Sequence, residues 1–268
     1  MEGILKKTFI KYRESVFFRK GQEFYNWLSF FSKTLIDFPY IFKYPGETFK
    51  QVYVLGNQAL PLVIFSTIFV SMALSLEWAT ELAPFGAKTA MGSILTVAII
   101  REIGPIVVGL IMAGRTGARV ASEIGNMVLT EQIDALRAFG TDPIKRLIVP
   151  RVFASLLVMT PLTIVADVMG IISGWFAVVL WRGVNPQFFW LAARDVLFVG
   201  DLLVGVIKPI FYGLLIGINS TYLGYSTQGG AEELGQATTK TVVANSIGIL
   251  ILDFLLTKIL LAVIGVRH

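Results

Sequence analysis

The sequence predicts an all-α integral membrane protein with about five transmembrane helices, an N-terminal amphipathic helix lying in the membrane interface, and a short cytosolic helix between two spans. Composition and the length of the apolar runs predict this class. Hydrophobic residues make up 55% of the 268 residues, charged residues only 15%, and the mean hydropathy is +0.72. A soluble domain carries about a quarter charged residues. The deficit here falls in long apolar runs, which is typical of membrane spans.

Five apolar blocks are each long enough to cross a bilayer, which takes about 20 residues. The predicted spans are Leu60–Leu82, Met91–Ala113, Val152–Leu180, Leu202–Tyr225 and Val242–Val266. Residues 1–58 then form a basic N-terminal segment with the interfacial helix, and residues 59–268 form one transmembrane domain.

The interfacial helix is predicted from an apolar face that charged and polar residues interrupt. Asn26, Lys33 and Asp37 break the run, which argues against a span and favours a helix lying flat in the interface. The alternative is a helix that packs on another part of the protein. The apolar positions follow helical spacing: Phe24, Trp27, Leu28, Phe31, Leu35, Phe38 and Phe42.

The Lys and Arg distribution predicts the orientation of the spans, because cytosolic loops carry the excess of these residues. The N-terminal segment and the 114–151 loop are rich in both, whereas the opposite loops hold only Lys88, Arg182 and Arg194. The N-terminus and the 114–151 loop are therefore predicted to be cytosolic. Five spans then place the C-terminus outside.

Several classes of function are not expected. The chain has no Cys and a single His, His268, which excludes disulfides, thiolate metal sites and Cys nucleophiles. No catalytic or metal-binding group is predicted. The net charge of +5 is spread beside the apolar runs, so we expect no nucleic-acid partner. No G-x-x-x-x-G-K-[ST] motif occurs. This chain is therefore expected to bind no cofactor, and any energy must come from a partner.

A short capped helix is predicted over about residues 130–140 of the cytosolic loop. Thr130 suits the N-cap, with Glu131 in the first turn. Gly140 suits a left-handed C-terminal cap, and Pro143 prevents continuation. The helix either docks into another protein or packs on the spans of its own chain. Its apolar stripe is Leu129, Ile133, Leu136 and Phe139.

Charged residues inside the predicted spans are the second candidate site. Arg101 and Glu102 fall in the middle of the second span, where each charge costs at least about 2.5–3.5 kcal/mol. Adjacent helical residues point about 100° apart, so each needs its own partner or a polar cavity. Gly104-Pro105 follows at once and can open the helix. Lys208 precedes Pro209 in the fourth span, and the other intramembrane acids are Asp167 and Asp253. These charges form either a structural ion-pair network or a polar spot in an apolar cavity.

The chain resembles the MlaE permease family over roughly residues 20–265. The resemblance rests on sequence segments that occur in the family's order without large gaps. They are Leu95–Pro105, Ala113–Gly117, Glu123–Gly125, Thr130–Leu136, Asp142–Pro143, Pro150–Arg151, Phe188–Trp190, Ala237–Val243 and Leu252–Phe254.

The resemblance implies the permease subunit of an ABC transporter in the bacterial inner membrane. It implies that two copies pair with two cytosolic ATPase subunits, which bind ATP and Mg, and that a periplasmic ring of MCE-domain proteins lies on the outer side. The complex would move phospholipids or related lipids between the inner membrane and the outer envelope. The helix at about 130–140 would be the coupling helix that contacts the ATPase, through Glu131, Ile133, Asp134, Leu136, Phe139 and Gly140.

The resemblance also matches Glu102 and Lys208 to polar residues of the family's lipid cavity. We expect Arg101 beside them, and Leu74 and Leu76 of the first span, to line the same groove between spans, most naturally at the seam of a dimer. Two alternatives stay open. The intramembrane charges could serve an ion-coupled secondary transporter or channel, or the chain could be a non-transporting scaffold of the envelope. Purification with an ATPase would favour the permease, and dependence on an ion gradient would favour the secondary transporter.

Overall fold

The computed structural model describes residues 21–86 and 90–264, and these residues form helices and short connections with no β-strand among them. Residues 21–36 form α1, and a 3-10 helix follows at Phe38–Lys43. The remaining α-helices are α2 (Pro45–Asn57), α3 (Leu60–Leu82), α4 (Met91–Ala98), α5 (Gly104–Met112), α6 (Ala118–Leu129), α7 (Gln132–Ala138), α8 (Val149–Arg182), α9 (Pro186–Val196), α10 (Val199–Tyr225) and α11 (Ala231–Ile264). Short π-helices lie at Ile99–Ile103, Ala113–Gly117 and Ile144–Ile148.

Within residues 21–86 and 90–264, five helical segments are long and apolar enough to cross a membrane, which confirms the predicted number of spans. The bounds of α3 coincide with the predicted first span. The other spans run further than predicted, since their helices continue through polar turns that hydropathy does not mark. The five segments are Pro45–Phe85, Met91–Leu129, Ile144–Arg182, Val199–Tyr225 and Ala231–Val263. The basic residues 1–20, Lys88 and the predicted C-terminal end of the fifth span at Val266 lie outside the described residues.

Small residues let α8 pack closely between α3 and α10. A Cβ on Gly170 would lie 2.8 Å from the Ser71 Oγ of α3, and one on Gly213 would lie 2.7 Å from the Leu156 Cα of α8. Helix backbones approach this closely only where one partner lacks a side chain. The two small-residue pairs in α8 and α10, Gly170/Gly174 and Gly213/Gly217, therefore serve contacts within the chain.

The π-helix at Ile99–Ile103 places the charged residues of the second span. Pro105 has no N–H, so the Arg101 carbonyl lacks the donor that an α-helix would supply from that position. The ammonium of Lys208 donates to this carbonyl instead, at 2.8 Å. The Gly104-Pro105 break thus opens the helix where α10 approaches it.

One face of α1 packs on the end of α10. The Trp27 Nε1 donates to the Asn219 Oδ1 at 2.9 Å, and the ring of Phe30 contacts those of Tyr222 and Tyr225. The opposite face keeps large apolar side chains exposed: Phe24, Tyr25, Leu28, Leu35 and Ile36. The helix therefore packs on its own chain and also presents an apolar face, and its place in the membrane interface stays a prediction.

Candidate functional site

Lys208 is the centre of an ionic cluster within the spans. Its side chain is 0% exposed, and its Nζ lies 2.7 Å from the Glu102 Oε2 and 2.9 Å from the Asp253 Oδ1. The Arg101 carbonyl is its third acceptor. An ammonium has three N–H donors, and all three have partners here. Lys208 therefore joins the second span to the fifth through α10.

Hydroxyl groups hold both carboxylates of the cluster. The Thr257 hydroxyl donates to the Glu102 Oε1 at 3.1 Å, and the Tyr212 hydroxyl donates to the Asp253 Oδ1. Buried charges persist only where such bonds replace water. Sequence reasoning missed Thr257 and Tyr212, because a single hydroxyl in an apolar helix carries no signal of its partner.

Arg101 has a different partner from its neighbour, as the 100° separation of adjacent residues predicts. Its Nε donates to the Asp201 Oδ1 at 2.6 Å. Asp201 is 1% exposed and also accepts from the backbone N–H of Phe198 at 3.1 Å, within the first turn of α10. Sequence reasoning missed Asp201 because it lies one residue before the predicted start of the fourth span.

A cleft of about 440 Å³ opens beside Arg101 and Glu102, between the second span, α9 and the fifth span. The side chain of Glu102 is 37% exposed and that of Arg101 21%, whereas Lys208 has no exposed surface. The cleft can thus accommodate a ligand that has an apolar part and a polar part, with the guanidinium and the carboxylate facing the polar part. Lys208 lies behind them and positions Glu102. The apolar walls come from Ile94, Val97, Ala98, Val196 and Leu261.

Three further positions named from the sequence lie outside this cleft. Leu74 and Leu76 are half-buried on α3 and do not line it, and their place in a groove between two copies of the chain stays a prediction. Asp167 of α8 lies against Gly104, next to the π-helix, and its buried Oδ1 has no hydrogen-bond partner among the described residues. Asp167 therefore packs on the second span at Gly104 and makes no ion pair with the cluster among the described residues.

The start of the predicted cytosolic helix differs from the expectation. Thr130 does not cap it, because α6 runs through Leu129 and the Thr130 hydroxyl donates back to the Asn126 carbonyl at 2.8 Å. A threonine hydroxyl can accept from an N–H of the following helix or donate to a carbonyl of the preceding one, and here it donates to the preceding helix. Glu131 turns the chain with φ 56°, and α7 covers Gln132–Ala138. Gly140 adopts φ 70°, which confirms the left-handed position predicted for it.

The apolar stripe of α7 is divided between the interior and the surface. Ile133 is 4% exposed, whereas Phe139 is 85% exposed and Leu136 is half-buried. One side of the helix thus packs on its own chain, and the other leaves Phe139 and the acids Glu131 and Asp134 exposed. Docking of this exposed side into another protein stays a prediction.

Arg137 connects α7 to the end of α10. Its guanidinium donates to the Tyr225 hydroxyl and lies 5.7 Å from the centre of the Tyr225 ring. It also donates to the Asp134 Oδ1 at 2.8 Å. Acceptance by the Tyr225 hydroxyl raises the pKa of Arg137, because it favours the charged guanidinium.

The family described as Permease MlaE matches residues 48–259. This chain belongs to the MlaE permease family. The family match begins within α2 and ends within the fifth span, so it includes the second, third and fourth spans, most of the first and fifth, α7 and the ionic cluster.

Individual relatives of this MlaE-family permease come from bacteria and a plant. The Intermembrane phospholipid transport system permease protein MlaE of Haemophilus influenzae is 37% identical over 84% of this chain and 87% of its own. A probable ABC transporter permease protein of Rickettsia typhi is 37% identical over 80% and 83% of the two chains. The chloroplast protein TRIGALACTOSYLDIACYLGLYCEROL 1 of Arabidopsis thaliana is 33% identical over 79% of this chain and 61% of its own.

Proposed function

We propose that this chain is the permease subunit of an ABC transporter that moves phospholipids or related lipids between the inner membrane and the outer envelope. The observation that carries the proposal is the apolar cleft with Arg101 and Glu102 at one end. Membership of the MlaE family and the phospholipid transport named for the Haemophilus relative support it.

The cleft suits the two parts of a phospholipid. Its apolar walls match acyl chains, and the Arg101 guanidinium matches a phosphate. Glu102 keeps the cleft from becoming uniformly cationic, which would hold a phosphate too tightly for release. Lys208 and Asp201 orient Glu102 and Arg101 without contacting the lipid.

The partners follow from two exposed surfaces. The surface of α7 around Leu136 and Phe139 suits a cytosolic ATPase, which would bind the ATP and Mg. The fifth span leaves a long apolar face uncovered, which a second copy of the chain suits. The proposed assembly is therefore a homodimer in the bacterial inner membrane, with ATPases on the cytosolic side. The MCE-domain ring proposed for the periplasmic side rests on the family resemblance alone. The uncovered residues of the fifth span include Val243, Ile247, Leu250, Ile251 and Phe254.

Reconstitution with the ATPase in liposomes tests the proposal. A fluorescent phospholipid should change leaflet or leave the membrane only with ATP, and an imposed ion gradient alone should move none. Movement driven by an ion gradient without the ATPase would instead show an ion-coupled transporter. A complex that assembles and hydrolyses ATP but moves no lipid would be a scaffold.

A further inference from the structure

A second cavity lies at the end of the spans that carries α7, away from the mid-membrane cleft. Its volume is about 630 Å³, and it shares no lining residue with the cleft. Its walls come from α2, α6, α7 and the start of the third span. The apolar part of the lining is Val54, Met127, Leu136, Phe139 and Leu147.

Positive charge exceeds negative charge in the lining of this cavity. Four cationic side chains face two carboxylates, Glu47 and Glu123. Glu123 is shared, since its Oε1 lies 2.7 Å from the Arg119 Nε and its Oε2 lies 3.5 Å from an Arg151 guanidinium nitrogen. The cations are Lys50, Arg119, Arg146 and Arg151. The surplus of two cations favours an anion, such as the singly charged phosphodiester of a lipid headgroup.

Arg151 is a buried lining residue of this cavity, and one of its N–H donors has no acceptor in the described part of the chain. Its side chain is 7% exposed, and it is held by Glu123 and by the Leu147 carbonyl at 2.9 Å. Its Nε has no hydrogen-bond partner among the described residues. A buried guanidinium with an unused donor has a high affinity for an added oxyanion, because the anion supplies the missing acceptor.

The neighbouring surface of α2 points to a lipid as the source of that anion. Phe49 is 75% exposed and Tyr53 is 67% exposed, and both lie one residue before a lining residue of the cavity, Lys50 and Val54. Exposed aromatic residues beside a span are typical of the headgroup level of a bilayer. A soluble phosphate would leave both these aromatic residues and the apolar walls without a partner.

We propose that this cavity binds an anionic phospholipid of the adjoining leaflet by its phosphate, at a site separate from the proposed transport cleft. The phosphate lies among Arg146, Arg151 and Lys50, and the glycerol and upper acyl chain lie against Val54 and Leu147. Because α7 supplies Leu136 and Phe139 to the same cavity, an occupied site fixes α7 against α2. The proposal does not depend on transport, so its failure would leave the proposed function intact.

The test uses the full chain, which lacks cysteine, with a single Asn57→Cys substitution labelled by bimane. Asn57 is exposed on α2, one turn from Val54, and does not line the cavity. Quenching is measured with brominated phosphatidylglycerol and with brominated diacylglycerol, which has the same tails and no phosphate. Phosphatidylglycerol should quench at about a tenfold lower mole fraction. Lys50→Gln with Arg146→Gln should remove this preference. Both residues are exposed and make no ion pair within the described residues, so folding should be unaffected. Lys43→Gln with Arg194→Gln removes the same charges from exposed positions outside the cavity and should change nothing.

Four results would overturn the proposal. Equal quenching by diacylglycerol would show no role for the phosphate, and an unchanged preference in the Lys50/Arg146 variant would place the phosphate elsewhere. Displacement of the lipid by millimolar glycerol phosphate would assign the site to a soluble phosphate. Loss of lipid quenching in the assembled complex with the ATPase would assign the cavity to that protein.

Discussion

Lys208 is stable without water because three oxygen acceptors surround its ammonium. The Glu102 and Asp253 carboxylates supply two of them, and the third is the Arg101 carbonyl that Pro105 leaves without a helical donor. The same proline that interrupts the helix thus creates an acceptor for the lysine. Removing the lysine would leave two carboxylates facing each other in an apolar region.

We therefore predict that Lys208→Met lowers the free energy of unfolding by about 3–5 kcal/mol, the cost of leaving a buried charge without its partner. The yield of folded protein should fall as a result. Lys208→Met combined with Asp253→Asn and Glu102→Gln removes all the charges and should recover most of the yield. Size-exclusion chromatography and thermal unfolding in detergent measure both. A triple variant no better than the single one would show that the lysine acts through packing alone.

Glu102→Gln should affect lipid movement more than assembly. Asp253 and the Arg101 carbonyl still hold Lys208, and a glutamine still accepts from Thr257. ATP-dependent lipid movement per assembled complex should fall by about tenfold, while the complex yield stays within a factor of two. Glu77→Gln, at an exposed position of α3, is the matched control. Normal movement per complex with a poor yield would make Glu102 a structural residue.

At the scale of elements, two residues of the α7 region have different environments. Ile133 is buried inside the chain, whereas Phe139, directly after the helix, is exposed on the surface proposed to contact the ATPase. Ile133→Asp buries a charge and should destabilise the protein by about 3 kcal/mol or more. Phe139→Asp changes an 85% exposed position and should leave stability within about 0.5 kcal/mol, yet detach the ATPase or uncouple hydrolysis from transport. Thermal unfolding and co-purification with the ATPase separate the effects. ATPase binding and transport that survive Phe139→Asp would exclude this surface from coupling.

The α8–α10 contact depends on a residue without a side chain. A Cβ on Gly213 would lie 2.7 Å from the Ser155 carbonyl oxygen, so Gly213→Ala must push the helices apart. The expected destabilisation is about 1–3 kcal/mol, read as a lower unfolding temperature in detergent. Gly114→Ala is the control, since nothing lies within 4 Å of its added Cβ. Equal stability of the two variants would contradict the close approach.

Elements were predictable where one local signal dominates, as in the apolar run that becomes α3 and the glycine at position 140. Thr130 was assigned to the wrong helix because its hydroxyl can bond forwards or backwards. In the site, Arg101, Glu102 and Lys208 were predictable, because each is a charged residue within an apolar run. Asp201, Tyr212 and Thr257 were not, because their roles depend on which helices pack together.

For the whole molecule, the charge distribution predicts that α7 faces the cytosol and α9 faces the outside. Single cysteines at two exposed positions test this. Gln228→Cys, between α10 and α11, should react with a membrane-impermeant maleimide only in inverted vesicles, and Gln187→Cys only in intact cells or spheroplasts. Reaction of position 187 from the cytosolic side would reverse the topology.

The hydrogen bond between Arg137 and Tyr225 connects α7 to the end of α10, so a movement of α7 would also move α10. Tyr225 is the last residue of α10, and Lys208 lies nearer the start of the same helix, about 25 Å away at 1.5 Å per residue. Over that length a rocking motion of about 5° displaces one end relative to the other by about 2 Å, enough to break a hydrogen bond. A force applied to α7 would therefore be carried to the Lys208 cluster by the continuous helix α10.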